Sequence, residues 1–277
     1  MQGAAADTEK HMKKALNHSS GHEKFLRAVR RKKIAVWTIR CGILAVLLIL
    51  WELCARFEII DPFVTSSPSR VAATLCELYE GGNLFYHIGI TLMETVAGFF
   101  AAVIAGYGIA VVLWLSDGAR KVFEPYIVVL NALPKIALGP LIIIWMGTGY
   151  TAIIFMTVIV SVIVCIMNTL TGFLQVDGTM LTLMRALGAN KAQILAKLVI
   201  PASLPQLMNT LKVAVGLAWI GSIMGEYIVS RAGLGYLIVY GGQVFKLDLV
   251  MTATIILCTL AGGMYALVAL AERILTR

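Results

Sequence analysis

Residues 177–205 read DGTMLTLMRALGANKAQILAKLVIPASLP and form a polar, basic stretch between two long apolar runs. Asp177 or Thr179 can act as the N-cap of a helix, and Gly188 is the residue type that commonly follows a helix C-terminus. Within that helix the apolar residues form a narrow stripe, made of Leu181, Met184 and Leu187. The sequence therefore predicts a short helix here and not a formless loop.

A second helix is predicted directly after Gly188. Asn190 is a suitable N-cap, Gln193 follows three residues later as in a capping box, and the pattern continues to Pro201. We call residues 177–205 the basic island. A helix-glycine-helix element of this kind, on one face of a membrane protein, is suited to binding a soluble partner.

Composition places the rest of the chain in a membrane. Hydrophobic residues make up 59%, charged residues 14%, and the mean hydropathy is +0.86, whereas soluble domains have about 45 to 50% apolar and about 25% charged residues. An all-α polytopic membrane protein is therefore predicted. Six segments are long enough to cross about 30 Å of hydrocarbon at about 1.5 Å per residue: Val36–Ala55, Ile88–Leu115, Tyr126–Met146, Ala152–Leu174, Leu207–Ile228 and Leu249–Leu270.

The basic residues predict the orientation. Of the 23 lysines and arginines, 18 lie in the N-terminal tail and the start of the first span, the connection between the second and third spans, the basic island, the base of the fifth span (Lys212) and the C-terminus. The other five are Arg56, Arg70, Lys135, Arg231 and Lys246. The positive-inside rule then places the island and both termini in the cytoplasm of a multi-pass cell-membrane protein. The net charge of +8 reflects this bias and attraction to anionic lipid, with no nucleic-acid partner. We expect a cytoplasmic tail at residues 1–33 and a six-helix domain at residues 34–277.

Small residues predict where helices pack closely. Four recur every fourth position in the second span, and pairs recur in the fifth and sixth spans: Gly98, Ala102, Gly106 and Ala110; Gly221 and Gly225; Gly262 and Ala266. Between the first two spans, Ser67 and Pro68 are expected to start a short helix that ends at Gly81 and Gly82. Residues 230–246 are expected to be a second outer loop. Either segment is an inert surface element or a landing site for an external protein.

The basic island resembles the inner-membrane permeases of ATP-binding-cassette (ABC) importers of the nitrate/sulfonate/taurine type. Their signature is Glu-Ala-Ala, three residues, Gly, nine residues and Ile-x-Leu-Pro. Gly188 and Pro201 match this frame, Leu198 and Ile200 replace the Ile and Leu, and Thr182, Leu183 and Met184 stand where the triplet would be. Three further stretches are similar to the same group: LNALPKIALGPLIIIWMGTG at residues 130–149, GLAWIGSIMGE at 216–226 and AGLGYLI at 232–238.

The resemblance implies a type I importer permease with six transmembrane helices and a cytoplasmic coupling-helix loop at about residues 177–205. Such a subunit works with a second permease copy, expected as a homodimer, with cytoplasmic ATP-binding subunits and with an extracytoplasmic solute-binding protein. ATP and Mg²⁺ are bound by the ATPase, so this chain is expected to need no cofactor. The expected solute is a nitrate-, sulfonate- or taurine-like anion or a vitamin-precursor-like organic compound. The expected ATPase-docking residues are Thr182, Met184, Arg185, Gly188, Ala189 and Pro201.

Candidate residues for the translocation path are Glu94, Asn131, Pro134, Lys135 and Glu226. Pro134 and the Gly139-Pro140 pair are predicted to break the third span near its middle, which membranes tolerate mainly where the backbone is buried in protein or lines a cavity. Lys135 lies about 16 Å deep by helical rise. It is either a structural partner of Glu94, a snorkelling side chain, or a positive station for an anionic solute. Glu226, nearer the surface, is expected at an outer gate or the interface.

The two other classes of function to compare are an enzyme and a self-sufficient carrier or channel. The sequence contains no phosphate-binding lysine loop, no nucleophile with a base at readable spacing and no paired metal ligands, so an enzyme is not expected. His11, His18 and His22 have no cysteine or acidic partner at ligand spacing. A self-sufficient secondary carrier or channel is the alternative; carriers more often have ten or more spans, an internal repeat and coupled mid-membrane carboxylates. We expect no such carboxylate pair here.

Overall fold

The computed structural model describes residues 29–32 and 34–275. Helices make up almost all of this described part, and no strand occurs in it. The three histidines considered as metal ligands and most of the predicted tail lie outside the described residues. The chain divides into two units, one up to Ser69 and the other from Arg70 onwards.

The first unit contains a long apolar helix, α1 (Val29–Arg56), the short helix α2 (Pro62–Thr65) and the start of α3 (Pro68–Glu80). Glu52 near the end of α1 accepts hydrogen bonds from the Ser69 backbone N at 3.1 Å and the Ser69 Oγ at 2.9 Å. These bonds satisfy donors in the first turn of α3. The predicted helix between the first two spans is thereby confirmed, and it ends before Gly82, whose φ is 70°.

The second unit holds the remaining helices. They are α4 (Leu84–Leu115), α5 (Asp117–Ala132), α6 (Gly139–Met146), α7 (Tyr150–Leu174), α8 (Gly178–Ala186), α9 (Lys191–Ile194), α10 (Ile200–Ala202), α11 (Leu204–Val229), α12 (Leu234–Gln243) and α13 (Leu247–Leu275). Among the described residues, α1, α4, α7, α11 and α13 are long and apolar enough to cross a membrane. They correspond to the predicted first, second, fourth, fifth and sixth spans.

The predicted third span is broken. Its two parts, Asp117–Ala132 and Lys135–Met146, are bent by 87° relative to each other. Pro134 precedes a 3-10 turn at Lys135–Leu138, whereas Pro140 lies in the first turn of α6, where its missing N–H is not needed. The predicted break is therefore confirmed, but Pro134 marks the bend and Pro140 starts the next helix. The pair forms one broken span or a re-entrant loop.

Helix α7 packs between α4 and α11 through the predicted small residues. A methyl group at Gly106 would lie 2.6 Å from Cys165 Cβ, and one at Gly221 would lie 2.6 Å from the Thr157 Cα. Ala102 and Ala110 are fully buried. These helices approach one another at backbone distance, as predicted. In contrast, a methyl group at Gly262 would meet nothing within 4 Å, so the third small-residue pair packs against no other helix within the described part of the second unit.

Residues 230–246 are not the loop that the sequence predicted. Most of this segment is the helix α12, and Leu234, Leu237 and Gly241 on it are buried. Four glycines between residues 233 and 242 suggested a loop, but two of them allow close packing: a methyl group at Gly241 would lie 2.9 Å from Val250 Cγ2 on α13. Packing outweighs the low helix propensity of glycine here.

Candidate functional site

The first half of the basic island is the predicted helix with both predicted caps. Asp177 Oδ1 accepts a hydrogen bond from the Thr179 backbone N at 2.9 Å, so Asp177 is the N-cap of α8. At the other end, the Gly188 N–H bonds to the Arg185 carbonyl and the Ala189 N–H bonds to the Met184 carbonyl, both at 3.0 Å. These two bonds define a Schellman motif, and Gly188 has the left-handed φ of 80° that the motif requires.

The second half begins as predicted and then departs from a regular helix. Asn190 Oδ1 accepts from the Gln193 N at 2.8 Å, and Gln193 Oε1 accepts from the Asn190 N at 2.9 Å, which confirms the capping box. After α9, residues 195–199 form a π-helical turn. Pro201 has no N–H to offer the Lys197 carbonyl and its ring crowds that carbonyl; the Ile200 N–H bonds instead to the Leu195 carbonyl. The predicted helix thus reaches Pro201, but with a π-helical turn that the sequence did not predict.

The second half is attached to the helix bundle. Ile194, Leu195 and Val199 are buried in an apolar cluster with Ala110 of α4 and Phe173 of α7. In addition, Lys191 Nζ donates to the Leu115 carbonyl at the end of α4 at 3.2 Å and lies 3.6 Å from the Asp117 carboxylate. Movement of the island would therefore be transmitted directly to α4 and α7.

The first half of the island presents apolar side chains to its surroundings. Met180, Leu183 and Leu187 are 53%, 60% and 74% exposed, and they recur at helical spacing on one face of α8. The predicted stripe is only partly correct, because Leu181 and Met184 pack on the cluster of α4 and α7, whereas Leu187 is the exposed C-cap. Of the predicted docking residues, Met184 and Ala189 are half-buried; the exposed ones are Thr182, Arg185, Gly188 and Pro201.

Lys135 does not reach Glu94. Its Nζ donates to the Asn131 carbonyl at 3.1 Å and to Asn131 Oδ1 at 3.3 Å, and both residues are half-buried beside the exposed Pro134. The structural pair between Lys135 and Glu94 that the sequence suggested is therefore absent from the described residues. The lysine instead caps the last turn of α5, where carbonyl groups lack helical partners.

Glu94 of α4 and Glu226 of α11 meet in the interior. Their exposed fractions are 0% and 1%, and the two carboxyl groups are close enough to interact directly. Apart from this contact between the two acids, both Glu94 oxygens lack a hydrogen-bond partner among the described residues. Two expectations are thus corrected: the spans do contain a carboxyl pair, and Glu226 is a buried residue rather than an interfacial one.

The start of α12 is held by side chains from two other helices. Three successive backbone N–H groups donate to them: Gly233 to His87 Nδ1 at 2.9 Å, Leu234 to Thr91 Oγ1 at 2.8 Å, and Gly235 to Glu226 Oε2. The first turn of a helix has free N–H groups and a partial positive charge, so a carboxylate is favourable there. Glu226 therefore joins α11 to α12, a contact for which the residues around Glu226 contain no local signal.

A cavity of about 290 Å³ lies next to the carboxyl pair, between the start of α4, the start of α7 and the end of α11. Glu94 and Ile153 contribute to its wall, and Ser230 and Arg231 come from the segment that leads to α12. The other lining residues are Tyr86, Thr148, Gly149, Tyr150, Val229 and Ala232. Of the predicted path residues, only Glu94 lines this cavity, while Glu226 lies behind it.

The chain belongs to the family of binding-protein-dependent transport system inner membrane components, whose profile matches residues 96–277. It is therefore a multi-pass membrane protein and the permease subunit of an ABC importer, in which hydrolysis of ATP belongs to another subunit. This places the chain outside the class of self-sufficient carriers and channels.

Several curated relatives cover most of the chain. The taurine transport system permease protein TauC of Escherichia coli is 27% identical over 81% of this chain and 83% of its own length. The putative aliphatic sulfonates transport permease protein SsuC of Bacillus subtilis is 26% identical over 89% of this chain and 90% of its own length. The riboflavin transport system permease protein RibX of Chloroflexus aurantiacus is 29% identical over 84% of this chain and 87% of its own length.

Solved structures agree on the fold. An inward-facing form of the MetNI methionine ABC transporter superposes with a TM-score of 0.64 at 20% identity, covering 72% of this chain and 98% of that one. A bacterial ABC transporter involved in the import of the acidic polysaccharide alginate superposes with a TM-score of 0.62 at 12% identity, covering 87% of this chain and 96% of that one. At these identities the similarity concerns the helical architecture alone.

Proposed function

We propose that the basic island is the surface on which a cytoplasmic ATP-binding subunit docks. The observation that supports this most strongly is the construction of the island: α8 is capped at both ends and exposes three large apolar side chains, whereas the following turn is anchored on α4 and α7. An exposed apolar face on a rigid element is typical of a protein-binding site. The ATPase binds the ATP and Mg²⁺, and Thr182, Met184, Arg185, Gly188, Ala189 and Pro201 form or support the docking surface.

In this proposal the permease works as a homodimer in the cell membrane, with both termini and the island in the cytoplasm and a solute-binding protein on the opposite face. Residues 1–33 form the cytoplasmic tail, and anionic lipid interacts with the basic residues of the cytoplasmic face. Closure of the two ATPases moves the island, which connects α7 to α11, and the two helices reorient to open the path outward. Solute released by the binding protein then enters the path.

The expected orientation can be tested with two residues of matched exposure. Leu183 on α8 and Tyr79 on α3 are 60% and 63% exposed. In a variant whose five native cysteines are replaced, expressed without its ATPase so that the docking surface is uncovered, we expect Tyr79→Cys to react with an impermeant thiol reagent in intact cells or spheroplasts. Leu183→Cys is expected to react only after permeabilisation. Labelling of Leu183→Cys from outside would contradict both the orientation and the docking surface.

The solute is a small molecule with an anionic group, as the names of the taurine and sulfonate relatives suggest, or an organic compound of the vitamin-precursor kind. Lys135 and Asn131 form a polar binding site for the anionic group at the bend of the third span, beside Pro134. Within the described residues, the ammonium of the half-buried Lys135 is held by the amide and carbonyl oxygens of Asn131 and by no carboxylate. Its positive charge is therefore available for an anion.

We expect Lys135→Met to lower uptake of the anionic solute roughly tenfold, since a charge-assisted hydrogen bond contributes about 1.5 to 3 kcal/mol, while binding-protein-stimulated ATPase activity persists. Uptake by proteoliposomes that contain the complete complex is the measurement. Lys121→Met, at an exposed position of the preceding helix α5, is the matched control and should change little. Unchanged uptake in Lys135→Met would contradict the proposal that Lys135 binds the anion on the translocation path.

A further inference from the structure

We propose that the cavity between α4, α7 and α11 binds a small zwitterion, with the cationic group of the ligand against Glu94 and its anionic group toward Arg231. This inference rests on the proposed transport function and narrows its substrate to one chemical class. It also assigns a ligand-binding role to Arg231, which the sequence pattern had marked only as one of the few basic residues away from the cytoplasmic side.

Glu94 is a fully buried acid in the wall of the cavity. Apart from the adjacent carboxyl group of Glu226, its oxygens have no hydrogen-bond partner among the described residues. A buried polar group that lacks hydrogen-bond donors is costly. A carboxyl group whose neighbour is a second acid is therefore suited to a ligand that brings several hydrogen-bond donors, as a primary ammonium does.

The neighbouring acid makes the need for a cation stronger. Two ionised carboxyl groups side by side, closed to water, repel each other, so the pair requires a positive group or a proton. The two acids differ, however, in their hydrogen bonds to the backbone. Glu226 Oε2 accepts the Gly235 N–H at the start of α12, which favours the negative charge of Glu226 and occupies one of its two oxygens. Glu94 has no such backbone donor and remains available to a ligand.

The opposite charge lines the same cavity. Arg231 contributes to the wall and forms no ion pair with any carboxylate in the part of the chain that the structure describes. It is therefore separated from Glu94 by more than the 4.0 Å that defines an ion pair. A cavity with an unpaired acid and an unpaired guanidinium, set apart from each other, matches a ligand whose two charges are also set apart.

The size and the remaining walls favour a compact ligand. A volume of about 290 Å³ lies just below the range of about 300 to 1,000 Å³ that holds drug-sized molecules. Tyr86 and Tyr150 offer hydroxyl groups and aromatic faces, and aromatic faces attract ammonium groups. Glu226 acts as a positioning residue, because it fixes the start of α12 and with it the segment that carries Arg231.

The test uses three probes that share a two-carbon frame: taurine with both charges, ethanesulfonate with the anion alone and ethylammonium with the cation alone. Their equilibrium binding is measured on the full-length permease in complex with its ATPase, in lipid nanodiscs and without the binding protein. We expect taurine to bind at least about tenfold more tightly than either analogue, because each charge makes its own charge-assisted contact.

Variants assign each contact to its residue. Glu94→Gln should lower the affinity for taurine to the level of ethanesulfonate, while the affinity for ethanesulfonate itself stays the same. Arg231→Gln should lower the affinity for taurine to the level of ethylammonium, while the affinity for ethylammonium itself stays the same. Glu80→Gln, on an exposed position of α3, should change nothing. Since Arg231 is exposed, its variant is expected to fold even if Glu94→Gln does not.

Equal binding of taurine and ethanesulfonate by the native complex would overturn the proposal. The same holds for unchanged taurine affinity in a folded Glu94→Gln variant, which would mean that the acid pair holds only a proton. The binding protein is then added to the same samples, and its stimulation of ATPase activity is recorded. Retained stimulation without a preference for the zwitterion would reject the ligand class alone, whereas missing stimulation in the native complex would reject the proposed function as well.

Discussion

Gly221→Leu is expected to abolish the folded protein. Even a methyl group at this position would lie 2.6 Å from the Thr157 Cα and 3.4 Å from the Met156 carbonyl oxygen. Both are backbone atoms of α7, so no side chain can rotate away to make room. Overpacking by a methylene or two typically costs about 1 to 3 kcal/mol, which we expect for Gly221→Ala. The larger leucine would have to separate α11 from α7 along their whole contact.

The matched control is Gly216→Leu on the same helix, where an added methyl group would meet nothing within 4 Å. The amount of monodisperse protein extracted from membranes and its thermal unfolding in detergent are the measurements. We expect little change for Gly216→Leu, a lower unfolding temperature for Gly221→Ala and no folded material for Gly221→Leu. Equal stability of the two leucine variants would refute the close packing of α11 on α7.

Features that depend on neighbouring residues were predictable from the sequence. The N-cap at Asp177, the glycine at 188 and the capping box of Asn190 with Gln193 all arise from hydrogen bonds across two to five residues. The spans followed from length and hydropathy, and the close faces of α4 and α11 from the repetition of small residues. Each of these signals is contained in a single segment.

Contacts between distant segments were not predictable in the same way. A pair of Lys135 with Glu94 is predicted because Glu94 is the acidic residue nearest to it in predicted depth, but depth does not say toward which neighbour a side chain points. In the fold Glu94 points to Glu226 and the cavity, and Lys135 turns back to Asn131. A single sequence fixes the height of a residue along its helix more firmly than its direction around the helix axis.

The helix α12 was missed for a related reason. Its first N–H groups bond to His87, Thr91 and Glu226, which lie on other helices, so the segment itself contains no N-cap. The π-helical turn was missed because the effect of Pro201 on the preceding carbonyl can be accommodated by a kink, a break or a wider turn.

Gly188→Val is expected to leave the permease folded in the membrane and to uncouple it from ATP hydrolysis. The left-handed conformation costs residues other than glycine roughly 1 to 2 kcal/mol, and φ is 80° at this position. Because an added methyl group would meet nothing within 4 Å, the bundle is not disturbed. The strain acts on the junction between α8 and α9, and the new side chain stands on the exposed surface proposed for the ATPase.

Gly178→Val is the matched control within the island. Gly178 also has open space around it, but it has no positive φ, and it opens α8 directly after its N-cap. We expect this variant to retain most of the coupled activity. Equal loss of coupling in both variants would show that any bulk in the island is harmful, which would remove the special role of the Schellman motif.

The most direct test of the permease as an importer driven through its basic island is solute uptake by proteoliposomes, measured together with ATP hydrolysis, for the native complex and for the complex with Gly188→Val. The native complex is expected to accumulate solute only when ATP, the ATPase and the binding protein are all present. The variant is expected to assemble but to lose both uptake and the stimulation of ATPase activity by the binding protein. Uptake that persists without ATP, or native coupling in Gly188→Val, would contradict the account.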